Sequence, residues 1–235
     1  MGIRLGLVGL GAFGSSFAPL FKSHPMVDRI ALCDSEHDRL AAFADRDSFQ
    51  DKLIPGGVYE TIDDIRDADL DALVIITQPW FHAEQAVAAM EAGKHVYSAV
   101  PIVNLPDGDE ILDWCERLID TSKRTGRFYM LGETTYYRPE AMYCRRKAAE
   151  GAFGDFVYGE GEDLHAVDHG LREGKARREG SKTGRAWLER ARRYAERGIL
   201  DGPMHYPTHS TAGPVCVMGA HAVKVTAYPF YGTSG

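Results

Sequence analysis

The residues with the clearest chemistry stand near the start of the chain. Gly9-Leu10-Gly11-Ala12-Phe13-Gly14 spells G-x-G-x-x-G, and Asp34 follows 20 residues beyond Gly14. An apolar run precedes the glycines, a helical pattern follows them, and the acid ends the next apolar run. That combination is the fingerprint of a dinucleotide site. Gly9 permits the tight turn, Gly11 lets backbone approach a pyrophosphate, and Gly14 allows helix to pack closely on strand. The backbone at Ala12 and Phe13, at the helix N-terminus, offers unpaired N–H groups and partial positive charge to phosphates. Asp34 is expected to accept hydrogen bonds from both ribose hydroxyls. Its carboxylate repels a 2′-phosphate, and the next residue is Ser35 rather than Arg. The expected cofactor is therefore NAD rather than NADP.

A second group of residues follows a buried strand pattern at 72–77. Thr77, Gln78 and Pro79 stand at its C-terminal end, where a doubly wound sheet opens its ligand crevice. They are expected beside the nicotinamide ribose, and Pro101, after the following strand, joins them. His82 reads as a helix-start residue that closes the cofactor cleft. Hydride transfer also needs a base to take a hydroxyl proton, and histidine titrates near working pH. His209 and Tyr206 stand at the start of a predicted helix whose entry Pro207 fixes. The helix N-terminus there favours a neutral, proton-accepting imidazole. His209 is the candidate acid–base group and Tyr206 the candidate partner of a substrate hydroxyl.

The elements that must hold these groups follow from periodicity. Strand patterns at 3–9, 29–34, 58–59, 72–77, 94–98 and 128–131 alternate with helical patterns at 13–23, 39–45, 61–65, 80–92 and 107–126. This alternation predicts a parallel, doubly wound α/β sheet. The rhythm then changes. Helices are expected at 138–150, 185–197 and 207–218, and strands at 156–163 and 223–228. The expected division is a Rossmann domain at 1–132 and a second, α+β domain at 133–235.

Composition narrows the function classes. Hydrophobic residues make up 44% and charged residues 26% of 235, a globular balance. The 27 Lys and Arg against 34 Asp and Glu give −7, the wrong sign for a nucleic-acid binder. Residues 172–197 run the other way, with ten basic residues against four acidic. They read as a solvated helix face with pairs such as Glu189 with Arg193. No run approaches the roughly 20 apolar residues of a membrane span, and no secretory signal is legible. Four scattered cysteines without C-x-x-C suit a cytoplasmic protein. Two H-x-x-x-H pairs occur, His165/His169 and His205/His209, but Pro207 interrupts the second and no Cys stands at ligand spacing. No metal site is expected.

GLVGLGAFG, VIITQPWFHAEQAVAAMEAGKHVYSAVP and GPMHYPTHS together resemble the Gfo/Idh/MocA family of oxidoreductases. The resemblance implies a Rossmann domain followed by a second domain whose open, mainly antiparallel sheet serves substrate binding and oligomer contacts. The implied activity is NAD(P)-dependent hydride transfer to or from a sugar or polyol hydroxyl, in a homo-oligomer built through the C-terminal sheet. Two departures stand out. Ala99-Val100-Pro101 occupies the place of the family's Glu-Lys-Pro, so the usual lysine is a valine. His205 stands where the family has an Asp, while His209 matches its His. Val100 and Tyr206-Pro207-Thr208-His209 are similar to a branch that includes NAD-dependent glycoside hydrolases, which oxidise the sugar transiently and return the hydride. Glu133, in Glu133-Thr134-Thr135-Tyr136-Tyr137, and His165, after Leu164, are further catalytic candidates by that resemblance. A redox-neutral glycosidase or lyase is thus the alternative to a dehydrogenase, and a non-catalytic NAD(H)-binding module is a third. The family's second domain has more strands than residues 133–235 supply, so that sheet is expected to be incomplete unless another chain finishes it.

Overall fold

In the computed structural model, residues 2–164, 173–199 and 206–228 are described. Six strands form one parallel sheet: β1 Ile3–Val8, β2 Val27–Cys33, β3 Leu53–Tyr59, β4 Ala72–Ile75, β5 His95–Ser98 and β6 Tyr129–Leu131. Their order is β3-β2-β1-β4-β5-β6, the doubly wound order with its switch point between β1 and β4. The chain is an α/β protein of Rossmann type, as the alternation predicts.

The apolar runs are continuous because the sheet is covered on both faces. On β2, Ala31 and Cys33 face one core, while Ile30 and Leu32 face the other. On β4, Leu73 and Ile75 join the first core and Val74 the second. Burying each such aliphatic side chain contributes about 1.5–3 kcal/mol. Helices α1 Ala12–Ser23, α2 His37–Ala44, α3 Asp47–Gln50, α4 Ile62–Asp67, α5 His82–Glu91 and α6 Gly108–Thr125 connect the strands. The Asp107 side chain caps α6 by accepting from Asp109 N at 3.1 Å. Gly126, at φ +67°, ends it in the left-handed conformation that favours glycine.

Among the described residues, β6 is followed by a 3₁₀ turn at Thr134–Tyr137 and four helices: α7 Pro139–Ala149, α8 Glu173–Gly180, α9 Lys182–Glu196 and α10 Pro207–Met218. The proline expected to open α10 is at its first position. The expected strands at 156–163 and 223–228 are not formed. Those residues pair with no neighbouring strand among the described residues, and a strand needs a partner for its N–H and C=O groups. Val157, Val223 and Val225 are 96%, 94% and 80% exposed, so no apolar face is covered there. The expected antiparallel sheet is absent among the described residues.

The basic stretch also differs from the expected solvated face. Glu189 pairs with Arg192 at 2.8 Å, not with Arg193. Arg190 and Arg197 instead reach Glu110 (2.5 Å) and Asp107 (3.1 Å) at the start of α6. The positive helix docks on an acidic helix N-terminus.

Candidate functional site

The strands are parallel, so every β–α turn after a strand lies at one edge of the sheet. Gly9 ends β1 at φ +92°, and a Cβ there would lie 2.3 Å from the Ile76 carbonyl oxygen. A Cβ on Gly14 would lie 1.9 Å from the Gly9 carbonyl oxygen. Both glycines are therefore required by the fold itself. Gly11 differs: a Cβ there would meet nothing within 4 Å, and its φ of −64° suits any residue. Its smallness preserves a space above the turn. Helix α1 starts there with no side-chain cap and no acid in its first turn, leaving the N–H groups at Ala12 and Phe13 for a phosphate. This open cradle fits a dinucleotide.

Asp34 is buried at the end of β2 and faces the same turn. Oδ2 accepts from Leu10 N at 2.7 Å and Oδ1 from Glu36 N at 2.9 Å. The Arg39 guanidinium donates to both oxygens, at 3.1 and 3.2 Å. The carboxylate therefore fastens the glycine turn to β2, and a ribose diol reaching it must take the place of Arg39. The expectation of Asp34 as a ribose acceptor did not include this arginine. Its spacing, five residues after the acid, was the available signal.

At the ends of β4 and β5 the expected cofactor neighbours are tied together. Thr77 Oγ1 donates to Gln85 Oε1 at 2.6 Å, and the buried Pro79 accepts from Asn104 N at 3.1 Å through its carbonyl. His82 is fully buried, with Nδ1 2.8 Å from the Pro101 carbonyl and Nε2 3.2 Å from the Thr77 carbonyl. Burial, reinforced by the charge of Arg178, holds its imidazole below the ordinary histidine range despite those carbonyls. A neutral ring carries one N–H, and the shorter contact places it on Nδ1. His82 therefore clamps the two strand ends. The Val100–Pro101 peptide is cis.

The candidate acid–base residues meet at this edge. Glu133, buried two residues past β6, holds both carboxylate oxygens at 3.0 and 3.1 Å from His209 Nδ1, in the first turn of α10. Burial opposes ionisation of Glu133. Hydrogen bonds from Thr135 N and His209 help to outweigh it, and the carboxyl lies below its usual range. An ionised carboxylate only accepts, so His209 Nδ1 donates to it. The Tyr206 ring stacks on the His209 ring at 5.5 Å and 19°. His165, His169 and His205 lie outside the described residues.

Residues between α8 and α10 complete the surroundings, and the sequence reading had treated them as surface. The turn between α8 and α9 lies against two strand ends. Lys182 N donates to Glu36 Oε1 at 2.9 Å, and Gln78 Nε2 donates to Ser181 Oγ at 3.4 Å. Trp187 stacks on the buried Trp80 at 4.8 Å and 10°.

A family model described as oxidoreductase family, NAD-binding Rossmann fold, matches residues 3–132. The chain belongs to this Gfo/Idh/MocA family. Among curated members, it is 34% identical over 175 residues to a glycosyl hydrolase family 109 protein of Streptomyces niveus, covering 72% of this chain and 33% of that one. It is 29% identical over 176 residues to an alpha-N-acetylgalactosaminidase of Shewanella oneidensis, covering 73% and 37%. The chain thus spans about a third of the length of the curated relatives it matches. Among solved Gfo/Idh/MocA-like folds, myo-inositol 2-dehydrogenase of Lactobacillus plantarum superposes with a TM-score of 0.60 at 20% identity, over 78% of this chain and 51% of that one. Scyllo-inositol dehydrogenase of Lactobacillus casei, solved with bound NAD(H) and scyllo-inositol, gives 0.56 at 23% identity, over 66% and 43%. At these identities the likeness is one of fold.

Proposed function

We propose that this chain carries the cofactor and acid–base machinery of an NAD-dependent oxidoreductase acting on a hydroxyl of a sugar or polyol. The observation that carries the reading is the Glu133–His209 pair at the same sheet edge as the open Gly11 cradle. In this reading the Gly9 to Gly14 turn holds the pyrophosphate, and Asp34 the adenosine ribose. Thr77, Gln78, Pro79 and Pro101 border the nicotinamide side. When bound, NAD supplies the hydride acceptor. His209 takes the hydroxyl proton as the C–H bond breaks, Glu133 stabilises the imidazolium that forms, and Tyr206 holds the substrate oxygen. Residues 133–235 form the substrate and self-association unit, with 1–132 as the cofactor unit.

A second reading has its own observation. Val100 replaces a proton-bearing side chain, and relatives at 29–34% identity are named as glycosyl hydrolases. A redox-neutral glycosidase would use the same His209 and a transient oxidation. The four free cysteines support a reducing, cytoplasmic setting, and among the described residues no helix is long and apolar enough to cross a membrane. The exposed Val157, Val223 and Val225 support a homo-oligomer formed through residues 133–235. The deciding experiment is calorimetric titration with NAD and NADP, followed by a sugar panel read at the NADH absorbance band. Absent binding, or tighter NADP, overturns the reading. Turnover of nitrophenyl glycosides without net NADH selects the second one.

A further inference from the structure

The turn between α8 and α9 touches residues that follow two different strands. Lys182 N donates to Oε1 of Glu36, three residues beyond β2, at 2.9 Å. The adjacent Ser181 hydroxyl takes a 3.4 Å hydrogen bond from Gln78, three residues beyond β4. Strand β1 lies between β2 and β4 in the sheet, and the Gly9 to Gly14 turn follows β1. Two consecutive residues therefore bridge the glycine turn from one side to the other. Space remains under the bridge, since a Cβ on Gly11 would meet nothing within 4 Å. The cradle that fits a pyrophosphate is thus a slot with a roof.

The roof is a preformed unit. Ser181 Oγ donates to the Arg178 carbonyl at 2.6 Å and accepts from Gly184 N at 3.0 Å. A Cβ on Gly184 would lie 1.7 Å from that same carbonyl oxygen, so the close crossing needs glycine. Behind the turn, α9 is fastened through Trp187 on Trp80 and Arg190 on Glu110, on the side of α5 and α6. On the β2 side the tie is the Glu36 side chain. A body pinned on one side and latched on the other opens as a hinge. Residues 175–185 carry five basic side chains against one acidic, the sign that attracts a pyrophosphate. We propose that residues 178–184 form a strap over the dinucleotide slot, which the dinucleotide must open to enter and to leave. Glu36 and Ser181 are the positioning residues of its latch. This rests on the NAD reading of the glycine turn.

A latch that closes with and without the nucleotide slows passage in both directions, so breaking it speeds both. A side chain that only touches the nucleotide changes dissociation alone and weakens binding. The test mixes the full chain with NADH in stopped flow and reads energy transfer from tryptophan. Glu36→Ala breaks the tie on the β2 side. Ser181→Gly breaks the tie on the β4 side, and glycine keeps most of the helix cap. Each is expected to raise the association and dissociation rates together by about three- to tenfold, with Kd within about twofold. Unchanged rates, or faster dissociation alone, in either variant overturns the strap. Should Glu36→Ala fail to fold, Glu36→Gln, which keeps the shape and weakens the acceptor, takes its place with the same expectation. A wild type that binds no NADH overturns the strap and the NAD reading together, whereas binding with unaltered rates overturns the strap alone.

Discussion

Glu133 and His209, 76 residues apart in sequence, meet with Nδ1 3.0 Å from the Glu133 carboxylate. The carboxylate holds the imidazole by one nitrogen and so determines which nitrogen is basic. Removing either partner should therefore affect proton transfer more than cofactor binding. His209→Ala should lower turnover on the order of 10²–10⁴-fold. Glu133→Gln keeps the shape but can present an amide N–H to Nδ1, favouring the wrong tautomer, and should lower turnover by a comparable order. Calorimetry should find NAD affinity within about threefold of wild type in both. A large loss of NAD binding with either substitution would remove these residues from the acid–base role.

The three glycines of the fingerprint should separate under substitution. Gly14→Ala forces a methyl against the Gly9 carbonyl oxygen, an overpacking expected to cost about 1–3 kcal/mol. Gly11→Ala adds a methyl to open space at an ordinary φ and should change stability by less than about 1 kcal/mol. The same methyl stands where a pyrophosphate must approach, so NAD affinity should fall at least about tenfold. Thermal melts and NAD titration of the two variants check this. Equal stability losses, or full NAD affinity in Gly11→Ala, would contradict it.

The Rossmann half was legible because its signals are local. Each strand is a short apolar run, each turn residue sits beside its strand, and Gly14 and Asp34 answer to contacts 5 and 24 residues away in sequence. The second half was legible only in its helices. Pro207 at the first turn of α10 is a local signal, whereas a strand at 156–163 depends on a partner that local patterning cannot supply. The docking of α9 was missed for a related reason. Arg190 and Glu110 are 80 residues apart, and a run of arginines reads as solvated until the acidic turn that receives it is placed beside it. Arg39, five residues after Asp34, carried a spacing signal that the motif reading did not use.

His82 gives the chain a pH dependence with a definite sign. Its folded-state value lies below the ordinary 6.5, chiefly through burial. The unfolded chain therefore binds the proton more readily than the folded one. The stability contributed by the neutral ring is complete above about 6.5 and is lost as pH falls through that value toward the lower folded one. Between about pH 7.5 and about pH 5.5, the wild-type melting temperature should fall more steeply than that of His82→Gln, which cannot titrate. Parallel curves would show that His82 takes no part.

Trp187 should test whether α9 is held to the Rossmann unit by its ring stack rather than by its surface charges. Trp80 is buried with its ring against Trp187, and Trp187 packs against the core that contains Ile75, Met90 and Val96. The ion pairs from Arg190 and Arg197 are partly exposed, so each should contribute no more than about 1 kcal/mol. A stacked indole with its buried area contributes more. Trp187→Ala should cost about 2–4 kcal/mol, against less than about 1 kcal/mol for Arg197→Ala. The protein has three tryptophans, and exposure of Trp80 should shift the emission of Trp187→Ala to longer wavelength. If Arg197→Ala proves the more damaging change, electrostatics hold α9 in place. The neutral Gln78–Ser181 contact would then be a consequence of that attraction rather than part of a packed interface.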